Sequence, residues 1–274
     1  MRLVALLTVR NESLYLARCL EHLIANDIEV CVIDNESTDS TRRIAEGFLG
    51  RGVMRIERIP YGGAFELLPI LRNEERLARE LDAEWFMHHD ADEIRESPFV
   101  GSTLKRAIEK VDAEGYNAVN FDEFVFVPTG EHERFEGRDY VAEMRHYYYY
   151  FWPGRLHRLN AWKSTGVPVD LCGTGGHQVQ FAGRRMYPMH FIMRHYIALS
   201  WDHLGRKYQS RQYSPDEVMR LAWHGSRTRF DLDVVRRIDW SRLKVVTRPG
   251  EWDRSDPWKA HPMFPRTDQP AAET

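Results

Sequence analysis

The sequence predicts an α/β fold with a mostly parallel sheet, and three observations carry that expectation. Apolar runs of strand length alternate with stretches of helical periodicity, the runs close on polar clusters, and helix-length crossovers separate them. A parallel sheet follows, with right-handed connections.

Residues 3–9 (Leu3-Val4-Ala5-Leu6-Leu7-Thr8-Val9) read as a buried strand. Ser13 stands where it would cap the next helix, in which Leu16, Leu20, Leu23 and Ile24 recur at helical spacing. A second strand over residues 30–33 closes on Asp34-Asn35, and a helix starts at residues 37–39 and runs through Phe48. Residues 53–59 form a third strand, residues 60–63 break it, a helix spans 67–81, and a fourth strand covers 84–89. A helix over 99–114 ends the first half.

Strands dominate thereafter: residues 117–127, 147–152, 155–159 and 179–181. Residues 196–213 and 214–223 read as helices, the second started by Pro215 and Asp216. From residue 248 to 274 no periodicity remains, which predicts an extended tail. The organisation is one domain over 1–247, with halves 1–115 and 116–247, followed by that tail.

The chain has 274 residues, 43% hydrophobic and 29% charged, enough to bury a sizeable core. Its net charge of -3 supplies no global attraction for nucleic acid, so that partner is disfavoured, short of a local basic groove. Cys19, Cys31 and Cys172 are odd in number, widely spaced and set mostly among apolar residues, which predicts reduced thiols and a cytoplasmic location. Residues 3–9 pass directly into Arg10-Asn11-Glu12 with no small-residue cleavage site, so they read as a strand and not a signal peptide. No stretch is apolar for long enough to span a bilayer, which leaves peripheral membrane association open. The glycosylation-like triplets at Asn11 and Asn35 fall where strands end.

The strongest chemical signal is Asp90-Ala91-Asp92-Glu93 after Trp85-Phe86-Met87. Where a buried strand opens into a loop, carboxylates at i and i+2 can converge on one cation. Asp231-Leu232-Asp233 has the same spacing in a mixed, charged, helical stretch and is a control: no buried strand delivers it. Open α/β sheets bind ligands at the carboxyl ends of their strands, and Arg10-Asn11-Glu12, Asp34-Asn35 and Asp90-Ala91-Asp92 all fall at such ends. A cation held there would neutralise a diphosphate. Asp92 is the metal ligand of choice, Asp90 either joins it or holds ribose hydroxyls, and Glu93 either braces the loop or contacts the sugar.

These residues resemble the GT-A glycosyltransferases of family 2. The resemblance rests on Val9-Arg10-Asn11-Glu12, Ile33-Asp34-Asn35-Glu36-Ser37-Thr38-Asp39, Leu71-Arg72-Asn73 and Asp90-Ala91-Asp92-Glu93, in that order, and covers roughly the first 95 residues. Looser similarities to a bacterial branch follow at Gly175-Gly176-His177 and Arg194-His195-Tyr196, then Ser200 and Lys207. The resemblance implies a GT-A fold whose residues 1–115 bind a nucleotide-sugar and whose residues 116–247 receive the acceptor. It implies transfer to a hydroxyl of a glycan, lipid-linked or small-molecule acceptor, with inversion, aided by Mn2+ or Mg2+.

It also implies that Val9, Arg10, Asn11, Glu12 and Asp34 hold base and ribose, that Ala91 lies with Asp90 against the donor, and that Arg72 is aimed at nucleotide or diphosphate. Asp34 could equally cap the next turn, and Arg72 could equally sit on a solvated face. His195 would complete the cation's shell or serve the core, and its imidazole suits manganese better than magnesium. His177 would line the sugar or acceptor pocket, or belong to a plain glycine-rich turn. Asp39 reads as a helix cap. Lys207 and Arg211 share a helix face that either balances phosphate charge or meets solvent.

Inversion requires a base for the acceptor hydroxyl. Glu123 and Asp122 are acids inside an apolar strand, where only one can face the cleft; Glu123 is preferred as the base, and it could equally serve a structural salt bridge. The aromatic run 146–152 reads as strand core ahead of a sugar platform. Two rival functions share these features: a haloacid dehalogenase-like phosphatase, which carries its Asp-x-Asp on the first strand, and a nucleotide-sugar-binding module without a base.

Overall fold

The computed structural model describes residues 1–152, 158–221, 224–248 and 250–264. The chain divides into two compact units. The first comprises Met1–Tyr61, Leu67–Glu123 and Gly154–His195; the second comprises Gly62–Glu66, Phe124–Pro153 and Tyr196–Thr274.

The first unit is the expected α/β body. Strands β1 (Leu3–Val9), β2 (Glu29–Asp34), β3 (Val53–Arg58) and β4 (Trp85–His89) alternate with helices α1 (Leu16–Ala25), α2 (Thr41–Gly47) and α3 (Leu67–Glu80). β1 pairs in parallel with β2 on one side and β4 on the other, and β2 pairs in parallel with β3. After β4 the chain forms β5 (Glu93–Glu96), α4 (Leu104–Ala113) and β6 (Ala118–Phe126). The second unit takes over at Phe124 and adds α5 (Tyr140–Glu143) and β7 (His146–Tyr150). β8 (Leu159–Lys163) and β9 (Phe191–Tyr196) complete the first unit's sheet, β8 running antiparallel between β4 and β6, and β9 pairing with β5 and β6.

Helix faces follow simple periodicity. Leu16, Cys19, Leu20 and Leu23 of α1 and Leu104, Ala107, Ile108 and Val111 of α4 are buried at i, i+3, i+4 and i+7. α3 breaks the rule, since its buried stripe of Ile70, Leu71 and Leu77 includes Glu74.

The second unit holds α6 (Trp201–Gln209), α7 (Pro215–Leu221), α8 (Leu232–Arg236) and β10 (Lys244–Val245), which pairs antiparallel with β7. Its core joins Val125, Tyr148, Ile197, Trp201, Leu204 and Phe264. Tyr147, Tyr148 and Tyr149 are buried, with Tyr148 stacked on Trp258 at 4.9 Å, so the middle of the aromatic run is core, while His146, Tyr150, Phe151 and Trp152 are half-buried. Residues 250–264, expected in the tail, form no regular element and lay Trp258, Met263 and Phe264 on this core; residues 265–274 lie outside the described residues.

Several expectations need correction. Ser13 does not cap α1, which starts after Tyr15 with no side-chain cap, the amides of Tyr15 and Leu16 instead reaching the Glu12 carbonyl. The strand expected at 155–159 runs from Leu159 to Lys163, and residues 155–157 lie outside the described residues. The strand expected at 179–181 is reduced to an isolated bridge at Gln180. Residues 191–196, partly assigned to a helix, form β9, and the helix begins only after Ser200, whose hydroxyl caps it through the His203 amide. The helix expected over 214–223 is α7; residues 222–223 lie outside the described residues.

Gly52 precedes β3 at φ +115° and accepts the Val30 amide at 2.9 Å, while a Cβ there would strike the Ile24 side chain. Both the left-handed backbone and the close approach demand glycine. Gly52→Ala is therefore expected to destabilise the protein by about 2 kcal/mol or more, read as a lower urea midpoint at unchanged slope.

Candidate functional site

The parallel strands β1 to β4 end at one edge, and side chains tie their loops together there. Asn11, at φ +55°, accepts the Thr38 amide at 2.7 Å and the Asp39 amide at 3.4 Å on one oxygen. Its own amide donates to Ser37 Oγ at 3.1 Å, and the Glu12 amide donates to Thr41 Oγ1 at 2.7 Å. Asp39 accepts the Thr41 amide at 2.8 Å and the Ser13 amide at 3.3 Å, so it caps as expected. The Val9 carbonyl takes the Asn35 amide at 2.9 Å. This rim encloses a cavity of about 550 Å³, lined by Arg10, Asp34, Glu36, Arg42, Arg58 and Tyr61 among others. Asp34 caps the turn, its Oδ1 accepting the Ser37 amide at 3.0 Å, and it also lines the cavity.

Beyond β4, the acidic loop meets β9 and β6. His195 Nε2 lies 3.5 Å from Asp92 Oδ2, and its Nδ1 lies 2.6 Å from Glu123 Oε1. Burial opposes the imidazolium, but Asp92 and then Glu123 outweigh it and raise His195 to about 10. Asp90, half-buried at the strand end beside Ala91, is held above the usual carboxylate range by desolvation and by repulsion from Glu93, with Asp92 adding to it. Repulsion among neighbouring carboxylates is what a cation relieves.

An ion network backs this arrangement. Arg158 Nε and Nη2 grip Glu123 Oε2 and Oε1 at 2.9 and 3.0 Å, and Arg158 Nη1 lies 3.7 Å from Glu93 Oε1. Arg95 Nη2 donates to Glu93 Oε2 at 2.6 Å. Burial works against the Glu93 charge, yet Arg95 and Arg158 prevail and hold it at about 2. Glu123 is likewise held well below the usual range, Arg158 and His195 overcoming its desolvation. With both oxygens engaged, Glu123 orients His195. Asp122 turns to the other partner, its Oδ1 lying 2.9 Å from His190 Nδ1.

Beneath the loop, His88 Nδ1 lies 2.6 Å from Glu74 Oε2, whose other oxygen accepts Thr8 Oγ1 at 2.8 Å. Burial disfavours the His88 charge, but Glu74 raises it to about 9. The neighbouring His89 goes the other way, to about 3, through burial and Arg95.

Sequence reasoning missed Glu74, Arg95 and Arg158 as parts of this site. Glu74 had a legible signal, a carboxylate on an apolar stripe three residues from Leu71 and Leu77. Arg158 had none, since its partners Glu123 and Glu93 are distant in sequence, and Arg95 pairs with Glu93 only two residues away in a stretch that reads as exposed. Arg72 is exposed on α3, within electrostatic reach of Cys172. His177 is exposed, its main chain bonded to Thr174 and Leu159. In the second unit, Lys207 Nζ donates to the Ile197 carbonyl at 3.4 Å and Arg211 lies 5.2 Å over Phe65. Asp231 is a helix cap, accepting the Asp233 amide at 2.9 Å at the start of α8. Among the described residues, the trio whose ligand atoms gather within 4.8 Å of one another is Glu75, Asp170 and Cys172, not Asp90, Asp92 and His195, and Glu75 Oε1 already accepts the Leu171 and Cys172 amides.

Residues 5–63 match the family model described as glycosyl transferase family 2. The matched stretch runs from within β1 through β3 and includes the residues that line the cavity at their ends. No curated protein sequence matches the chain significantly. Among solved structures, that of S. aureus TarS 1-349 in complex with UDP-GlcNAc is 15% identical with a TM-score of 0.49, covering 81% of this chain and 65% of that one. The same protein in complex with UDP is 13% identical with a TM-score of 0.47, covering 72% of this chain and 61% of that one. A third, of S. aureus TarS, is 12% identical with a TM-score of 0.45, covering 72% of this chain. This chain spans between 37% and 65% of the length of these structures. No helix among the described residues is long and apolar enough to cross a membrane, and all three cysteines are free.

Two expectations follow. Because the folded His88 titrates near 9 against an ordinary 6.5, its contribution is complete below pH 6.5 and lost as pH rises through 9. Melting temperature should fall by a few degrees over that window, and His88→Gln should flatten the decline. Glu123→Gln strands the buried Arg158 charge and should cost about 3–5 kcal/mol in urea denaturation, more than loss of a surface ion pair.

Proposed function

We propose that this chain transfers a sugar from a nucleotide-diphosphate sugar to a hydroxyl acceptor with the help of a divalent cation, and with inversion. The observation that carries this is the position of the Asp34-lined cavity and the Asp92–His195 pair on one edge of one parallel sheet. The family 2 match over the cavity supports the donor class. The base and ribose would occupy the cavity, with Asp34 offering carboxylate oxygen to a ring N–H and Arg10 fixing the loop.

The residue types suit a cation. Asp92 Oδ2 lies 3.5 Å from His195 Nε2, desolvation and then Glu93 hold Asp90 above the usual carboxylate range, and Glu123 fixes the imidazole through Nδ1. A cation would take the place of the imidazolium proton that Asp92 and Glu123 favour. Asp92, Asp90 and His195 would hold it, a mixed donor set suited to manganese more than magnesium. A bound divalent cation neutralises charge on a departing diphosphate. Glu123 is a positioning residue in this reading, because Arg158 and His195 spend its charge, and Asp122 remains the acidic candidate for the acceptor's proton. A hydroxyl on a glycan, a lipid-linked sugar or a small molecule would attack opposite the leaving group. Three free cysteines accord with a cytoplasmic setting.

A panel of nucleotide sugars with Mn2+ or Mg2+, read by thermal protection and by release of nucleoside diphosphate, tests the proposal. One donor at least should respond, and only with metal. Asp92→Asn should abolish that response while Asp231→Asn leaves it intact. Silence from the whole panel, or equal effects of the two substitutions, would refute it.

A further inference from the structure

We infer that the Arg10 guanidinium and the Tyr61 ring together form a planar wall against which the donor's base stacks, and that Glu36 positions this wall. The inference rests on the nucleotide-sugar reading above. It gives a role to Tyr61, which no sequence motif names, and to Glu36, which the motif after β2 contains without a role.

The guanidinium carbon of Arg10 lies 3.3 Å from the centroid of Tyr61, a face-on contact. Neither partner is loosely held. Arg10 Nη1 donates to the carbonyls of Asn35 and Glu36, both at 2.6 Å, so the loop after β2 fixes the planar head. Tyr61 is pinned through its main chain, its amide donating to Glu36 Oε2 at 3.0 Å, while Glu36 Oε1 takes Arg58 Nη2 at 2.8 Å. Glu36 does this from φ +53°, a backbone conformation costly for a residue other than glycine. The tyrosine therefore comes from the end of β3, the arginine from the end of β1, and the clamp from the end of β2.

The chemistry of the cavity selects the occupant. A flat cation on a phenol ring presents a stacking surface, and every nucleobase has a π-face that stacks on aromatic rings and guanidinium planes. Asp34 lines the same cavity and can take a ring N–H in the plane of a base so stacked. Phosphates would instead be drawn to Arg42 and Arg58, the more exposed cations of the lining, and a sugar ring would gain little from a charged plane.

Calorimetric titration with Mn2+ tests this, using UDP, GDP and inorganic pyrophosphate as probes on the wild type, Tyr61→Ala, Tyr61→Phe, Glu36→Ala and Glu36→Gln. Circular dichroism confirms that each variant is folded. Tyr61→Ala should weaken the preferred nucleoside diphosphate by about tenfold or more and leave pyrophosphate unchanged, while Tyr61→Phe binds as wild type. Glu36→Ala should reproduce part of the loss, and Glu36→Gln, which still offers an oxygen to the Tyr61 amide, should recover it. Equal binding of nucleoside diphosphate by wild type and Tyr61→Ala overturns the wall alone. Equal weakening of pyrophosphate also overturns it, because the pair would then serve phosphate. A wild type that binds neither nucleoside diphosphate overturns the donor reading, and the wall with it.

Discussion

The candidate site depends on a buried charge network in which no member can be removed alone. Arg95 and Arg158 sit almost out of solvent, as do Glu93 and Glu123. Burying such ions is expensive, and attraction offsets the cost only when each finds well-placed partners. Glu93 meets both arginines and Glu123 meets Arg158 and His195, which joins β5, β6, β9 and the residue before β8 into one unit. Asp92 inherits its geometry from this network, since the imidazole facing it is set by Glu123. Hydrophobic packing builds the sheet; ionic pairing decides what stands at its edge.

The same distinction explains what was legible in the sequence. β1, β2, β3, β4, α3 and β6 appear within a residue or two of their expected bounds, because apolar runs and helical spacing report directly on burial. β5 and β9 were hidden by their own charges. Glu93-Ile94-Arg95-Glu96 reads as an exposed acidic stretch until Arg95 and Glu93 are seen to neutralise each other, and Arg194-His195 interrupts the run that became β9. Local pattern fails where a site violates the inside-outside rule. Of the site itself, Asp34, Asp90 and Asp92 could be named from strand ends, whereas Arg158 and Glu74 act through partners that no spacing reveals.

Two Asp-x-Asp triplets in one chain show how little a motif says without its surroundings. Asp90 and Asp92 follow a strand buried along its whole length, and their neighbours are an imidazole and a third acid. Asp231 accepts the amide of Asp233, and Asp233 pairs with Arg236 at 2.6 Å one turn along the same short helix. In one setting desolvation and the neighbouring Glu93 raise the Asp90 carboxyl above its usual range; in the other, each has a local partner and nothing is left over. Spacing is common to both, and burial separates them.

The Asn11 side chain, which gathers the amides of Thr38 and Asp39 on a single oxygen, has a bearing on how a ligand is received. Through it the loops following β1 and β2 are already closed on each other, so the entropy of ordering them is lost during folding rather than on encounter. A ligand entering there keeps more of its contact energy as affinity. Recognition at this rim should then resemble a key meeting a cut lock, with little heat-capacity change beyond the apolar surface covered.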